Sequence, residues 1–249
     1  MLRLCSILGA LAIFVSSPAW SGDASFLNII GFSADGRYFA FEQYGTQDGS
    51  GFAYSDVVIT DLKNDALVKG TPIRAIAPDE QASKNSIRAK ARGQAAERLK
   101  TLHIDQPAEI IGSNPITERV DDRKTMAFNL YFEGLGGQLT PPEITKDNDF
   151  ELVLKSVSLP VTKDCYAEDG KANGFSLSIR KTATGVVAEK YKDTSVPASR
   201  YCPSNYDIDT IASYRDDKGN SIFVAIIAVY QQGFEGPDRR FIAVPFNPL

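Results

Sequence analysis

Ten consecutive residues, 221–230 (SIFVAIIAVY), constrain the fold of this chain more than any other segment. Odd and even positions are both apolar, so a strand there presents apolar side chains on both faces, and each face must be covered. The run is far short of the ~20 apolar residues a membrane-spanning helix needs. It predicts a central strand covered from both sides.

Seven further segments are rich in aromatic and β-branched residues and are separated by turn residues. They are 37–44 (RYFAFEQY), 56–61 (DVVITD), 125–132 (TMAFNLYF), 150–157 (FELVLKSV), 174–180 (GFSLSIR), 185–191 (GVVAEKY) and 240–244 (RFIAV). In 150–157, Phe150, Leu152 and Leu154 alternate with Glu151, Val153 and Lys155, which predicts one face in the core and one mostly in water. Residues 182–185 read as a tight hairpin. The expected fold class is mainly β: antiparallel sheets, as a sandwich, a barrel or an incomplete propeller-like array, with one inserted basic helix.

That helix is expected at about 79–104. Ile87, Ala91, Ala95 and Leu99 recur every four residues, with Leu102 three further on, a narrow apolar stripe. Asp79 and Glu80 stand where the helix dipole favours anions. Gly93 costs about 1 kcal/mol against Ala, so a bend or break is expected there. Lys84, Arg88, Lys90, Arg92, Arg98 and Lys100 face only Glu97, six basic groups against one acid.

At the N-terminus Arg3 precedes an apolar run from Leu4 to Val15, then the small residues Ala19 and Ser21. This is the pattern of a secretory signal over 1–21, cleaved before Gly22 or alternatively after Ala19, with an N-terminal anchor as the competing view. Residues 22–249 then form one mature domain without a transmembrane helix, periplasmic or secreted. Of three cysteines, Cys5 leaves with the leader. One pairing remains, Cys165 with Cys202, and an oxidising compartment favours it over two buried thiols.

A faint repeat is visible. Residues 33–36 open one strand, followed by a glycine-rich loop carrying Phe52 and a second strand. Residues 216–219 open another, followed by a glycine-rich loop carrying Phe234 and a second strand. Two such units predict paired sheets or propeller blades. The segment 33–41 (SADGRYFAF) resembles a blade of TolB-like propellers, with Ala34 where a proline is usual.

A broader resemblance covers most of the mature chain. Its landmarks are Gly31-Phe32-Ser33, residues 35–42 (DGRYFAFE), Gln43-Tyr44-Gly45 and 47–51 (QDGSG). They continue in Pro197-Ala198-Ser199-Arg200 with Cys202-Pro203, and in 233–240 (GFEGPDRR). With these the chain is similar to a bacterial family of predicted secreted proteins whose domain has no known function. The resemblance implies export and the two-cysteine arrangement, and carries no activity and no catalytic residues.

No motif in the chain specifies a reaction. The single histidine, His103, reads as a helix-end surface residue, and Gly31-Phe32-Ser33-Ala34-Asp35 fails the nucleophile-elbow pattern at its last position. Asp216-Asp217, Asp121-Asp122 and Asp207 with Asp209 are the carboxylate pairs a glycosidase would need to bring together. Asp48-Gly49-Ser50-Gly51 lacks the ligand series of a calcium loop. No catalytic residue, metal or cofactor is assigned. A net charge of −4 argues against a general nucleic-acid binder.

Two surfaces are candidates. Tyr44, Phe52, Tyr230 and Phe234 form an aromatic rim for a ligand if the repeat places both loops together. Lys84, Arg88, Arg92 and Lys100 offer a surface for an anionic partner or peripheral contact with an anionic membrane. The expected function is an exported, non-catalytic domain that binds an unidentified envelope ligand or protein; the alternative is a hydrolase acting on an envelope polymer through paired carboxylates.

Overall fold

A computed structural model describes residues 22–115, 117, 122–130, 149–160, 171–233 and 236–248. In chain order the elements are β1 (Phe26–Ser33), β2 (Tyr38–Thr46), β3 (Ala53–Asp61), β4 (Ala66–Leu67), β5 (Ile73–Ile76), α1 (Lys84–Thr101), β6 (Ile104–Gln106) and β7 (Glu109–Ser113). They continue with β8 (Thr125–Asn129), β9 (Asp149–Pro160), β10 (Lys171–Lys181), β11 (Val187–Lys192), β12 (Pro203–Arg215), β13 (Ser221–Gln232) and β14 (Pro237–Phe246).

The strands form three antiparallel sheets. The first has the order β4-β3-β2-β1-β6, with β5 also paired to β3; the middle one is β14-β13-β12-β7; the third is β11-β10-β9-β8. They stack, and α1 lies on the outer face of the first sheet. Among the described residues no closed barrel forms.

The doubly apolar strand sits in the middle of this stack. Val224, Ile226 and Ala228 of β13 pack with Phe32, Phe39, Phe41 and Val58 of the first sheet. Phe223, Ala225, Ile227 and Val229, on its other face, pack with Leu152, Leu154, Phe175 and Leu177 of the third. Each fully buried Ile or Phe contributes about 1.5–3 kcal/mol, so these two interfaces carry most of the cohesion. The repeat units 38–61 and 221–246 lie in two facing sheets, so paired sheets are what forms, rather than propeller blades.

The turn 182–184 joins β10 to β11, with Gly185 N–H donating to Lys181 O at 2.8 Å. β8 covers Thr125–Asn129, and residues 131–132 of the expected strand lie outside the described residues. β1 and β12 were not anticipated. A β-bulge at Ile29/Gly31 interrupts the alternation of β1. Gly31 has φ 144, and a Cβ there would meet Gln106 O at 2.2 Å, so only glycine fits.

The helix is shorter than expected. Ser83 caps it, accepting the Ser86 N–H at 3.1 Å, and its first turn holds no acidic residue. Asp79 instead closes the preceding turn by accepting the N–H groups of Gln81 and Ala82. The helix runs unbroken through Gly93, which faces open space. Ile87, Ala91 and Ala95 are buried against Ala40, Val57 and Ile59, with Leu99 and Leu102 at the margin, as the stripe predicts. The helix carries the chain across the sheet face, from β5 at one edge to β6 at the other. Among the described residues no helix is long and apolar enough to cross a membrane.

Candidate functional site

On one side of the stack three sheet edges come together: β4 and β5 of the first sheet, β14 of the middle one and β11 of the third. Between them lies a cleft of about 330 Å³, floored by Phe241–Val244 of β14 and flanked by Leu67, Arg74 and Tyr191.

The edge of β14 is partly covered. Arg239 N–H donates to Asp23 O at 2.9 Å, and Ser25 N–H donates to Arg239 O at 3.1 Å. Ala24 thus pairs with Arg239 as a short parallel addition. Two residues on, Phe241 N–H donates to the side-chain oxygen of Gln43 at 2.8 Å. The β13–β14 register has no shift, so backbone direction alternates strictly. The N–H and C=O of Ala243 and the C=O of Phe241 therefore point away from β13 toward the cleft, and no described residue bonds to them. Pro245 has no N–H and ends the open stretch, as edge strands commonly do.

Three arginines line the cleft, each tied to a buried aspartate. Arg74 forks onto Asp56, with both bonds 2.7 Å, and Gln43 also donates to Asp56 at 3.3 Å. Arg240 holds Asp23 at 2.5 Å and lies 4.8 Å above the Tyr54 ring. The Tyr54 hydroxyl donates to Asp23 at 2.8 Å, and burial raises its pKa well above the usual phenol range. Arg200 holds Asp193 at 2.7 Å and donates to the Tyr191 hydroxyl at 2.7 Å. Its guanidinium lies 4.9 Å from the centre of the Phe175 ring and 5.8 Å from that of Tyr206. Burial pushes the Tyr191 phenol up to about 12. This cluster fixes the segment 197–201, which forms a rim of the cleft and carries Tyr201 at 70% exposure.

Asp65 differs. It lies on the cleft wall at φ 46, and no described residue forms an ion pair or hydrogen bond with its carboxylate. Loss of solvent around the group raises its pKa.

The residues singled out from the sequence lie elsewhere. Tyr44 stacks on Phe26 at 5.6 Å and lies under Arg88 at 3.8 Å, on the helix side of the first sheet. Phe52 packs into the helix–sheet layer. Tyr230 packs between the first and middle sheets. Phe234 is outside the described residues. The structure brings Tyr44 and Phe52 to one face of the first sheet and Tyr230 to the other.

Of the basic helix residues, Arg88 and Arg92 both reach the fully buried Glu42, at 2.9 Å and 2.5 Å, and Ser55 donates to it at 2.9 Å. Burial alone would raise the Glu42 pKa, but these donors outweigh it and hold the carboxyl below its usual range. Lys84 lies 5.7 Å over the Phe26 ring, and Lys100 is exposed in the last helical turn.

Asp216 closes its turn by accepting from Lys218 and Asn220. Asp207 holds Lys124 at 3.0 Å, and Asp209 accepts the Thr210 hydroxyl at 2.9 Å. Asp121 and Cys165 lie outside the described residues, while Cys202 immediately precedes β12. His103 follows α1 at φ 52 and is exposed. Among the described residues no three His, Cys, Asp or Glu side chains gather as a metal site requires.

Sequence reasoning assigned no site role to Gln43, Arg200 and Arg240. The signal was present: these residues belong to three separate segments that carry the family resemblance, and the fold brings all three to one cleft.

No curated protein and no solved structure matches the chain. A family model described as predicted secreted protein (DUF2259) matches residues 40–247, most of the sequence. The chain belongs to this family of predicted secreted proteins, in keeping with a periplasmic or secreted location.

Proposed function

We propose that this protein is an exported, non-catalytic binding domain whose partner occupies the cleft beside β14. One observation carries the proposal: a strand edge with backbone groups that no described residue bonds opens into a cleft whose arginines are already neutralised. Arg74, Arg200 and Arg240 are matched by Asp56, Asp193 and Asp23, so they build the walls rather than await an anion. Paired-carboxylate hydrolysis needs two acidic groups facing one substrate bond. Among the described residues Asp65 is the one carboxylate that lines the cleft, which favours binding over hydrolysis.

The test is photo-crosslinking in the cell envelope. A photoreactive residue replaces Leu67, which is 47% exposed at the cleft, or Ile110, which is 48% exposed on β7 at the opposite edge of the middle sheet. Adducts at Leu67 and none at Ile110 are expected. Equal labelling, or none at Leu67, would remove the proposal.

A further inference from the structure

We infer that the cleft takes an extended peptide, which adds as a strand to the edge of β14 at Ala243 and carries alternating apolar and basic side chains. The inference rests on the cleft being the binding site, and names the occupant.

The backbone argument comes first. Ala243 offers one N–H and one C=O, and Phe241 one further C=O, in the plane of the middle sheet. Another strand matches such a row, because its own N–H and C=O groups repeat with the same spacing. The same edge already accepts a strand two to four residues upstream, where Ala24 pairs with Arg239 in parallel. Gln43 at Phe241 and Pro245 beyond Ala243 bound the open stretch on both sides. Among the described residues the open groups are therefore confined to the cleft and are not a continuous edge that would polymerise.

The side-chain argument narrows the peptide. Alternate side chains of an added strand point to opposite faces. On one side they meet the first-sheet wall, with Leu67 and the unpaired carboxylate of Asp65. On the other they meet the third-sheet wall, with the Tyr191 ring. On the first-sheet side a basic side chain pairs with Asp65 while its aliphatic stem lies along Leu67, and on the other side apolar side chains cover Ile242 and the Tyr191 ring. An acidic peptide finds no uncommitted cation among the described residues that line the cleft, since Arg74, Arg200 and Arg240 each hold an aspartate.

The probe is acetyl-Val-Lys-Val-Lys-Val-Lys-amide, fluorescently labelled, with the Val-Glu counterpart and a backbone N-methylated copy as comparisons. Anisotropy should report saturable binding of the Val-Lys peptide, accompanied by a shift of the Ala243 amide resonance. Ala243→Pro removes the outward N–H without touching the ladder to β13, and should weaken binding at least about tenfold. Asp65→Asn, which breaks no hydrogen bond or ion pair to a described residue, should erase the preference for Lys over Glu. Unchanged binding in Ala243→Pro, equal binding of the N-methylated copy, or no binding of the Val-Lys peptide would overturn the inference. So would self-association of the protein through this edge, seen in sedimentation and abolished by Ala243→Pro. Crosslinking at Leu67 without peptide binding removes this inference alone; loss of that crosslinking removes the cleft reading as well.

Discussion

The side-chain oxygen of Gln43 on β2 accepts the backbone N–H of Phe241 on β14 at 2.8 Å, a buried bond that joins the first sheet to the edge of the middle one. Gln43→Leu leaves that N–H buried without a partner. The expected cost is about 1–3 kcal/mol, read as a lower urea midpoint. An unchanged midpoint would mean that water replaces the amide at this position.

Glu42 gives the fold a specific acid sensitivity. Its pKa in the folded protein lies below the ordinary value of 4.5, because the bonds from Arg88, Arg92 and Ser55 outweigh burial. The stabilisation is complete above that ordinary value and is lost as pH falls through the lower folded one. Glu42→Gln should cost about 3 kcal/mol at neutral pH and flatten the acid limb below pH 4.5. Urea titrations across pH check both expectations. Hydrogen exchange should show α1 loosening first, since Glu42 is its ionic anchor to the sheet.

Arg200 and Asp193 are both almost fully buried, at 8% and 2% side-chain exposure. Arg200→Ala strands the aspartate and should cost about 3–5 kcal/mol. Arg200→Lys keeps the charge but not the planar fork that serves Asp193 and Tyr191 together, so it should recover only part of the loss. Thermal unfolding of the two variants distinguishes a shape requirement from a charge requirement. Equal stability of Lys and Arg at this position would contradict the planar arrangement.

The proposed leader supplies a chemical prediction. N-terminal sequencing of the native protein should begin at Gly22. A Cβ at that position would meet Pro237 O at 2.3 Å, so Gly22→Ala should displace the strap at Asp23–Ser25, at about 1–3 kcal/mol.

The proposed Cys165–Cys202 bridge closes a loop of 38 residues and is worth about 4 kcal/mol in the chain-entropy model. Thiol labelling of the unfolded, unreduced mature chain should find no free cysteine. Two labelled thiols would exclude the bridge.

Much of the fold was legible because local patterns report local requirements. The apolar faces of 221–230 demanded two covering layers, and β13 has them. The four-residue stripe from Ile87 to Leu99 gave the buried face of α1. β12 was illegible because Asp207 and Asp209 break its apolar pattern, and a bulge between Ile208 and Thr210 shifts its alternation. Gly93 suggested a break because propensity counts a glycine's cost in isolation. Packing of Ile87, Ala91 and Ala95 on the sheet, with Glu42 gripping two arginines, holds the helix straight through it.

Periodicity and residue type alone determined the antiparallel β class, the placement of the central strand and the single helix, since burial imposes its period directly on the chain. The candidate site was decided only in three dimensions. Gln43, Asp65, Arg200 and Ala243 are far apart in sequence, and they meet because three sheets end on the same side of the stack. The outward hydrogen-bonding groups of Ala243, bonded by no described residue, are backbone atoms, which every residue except proline carries in full. Only the sheet order, which leaves β14 at an edge, makes them available.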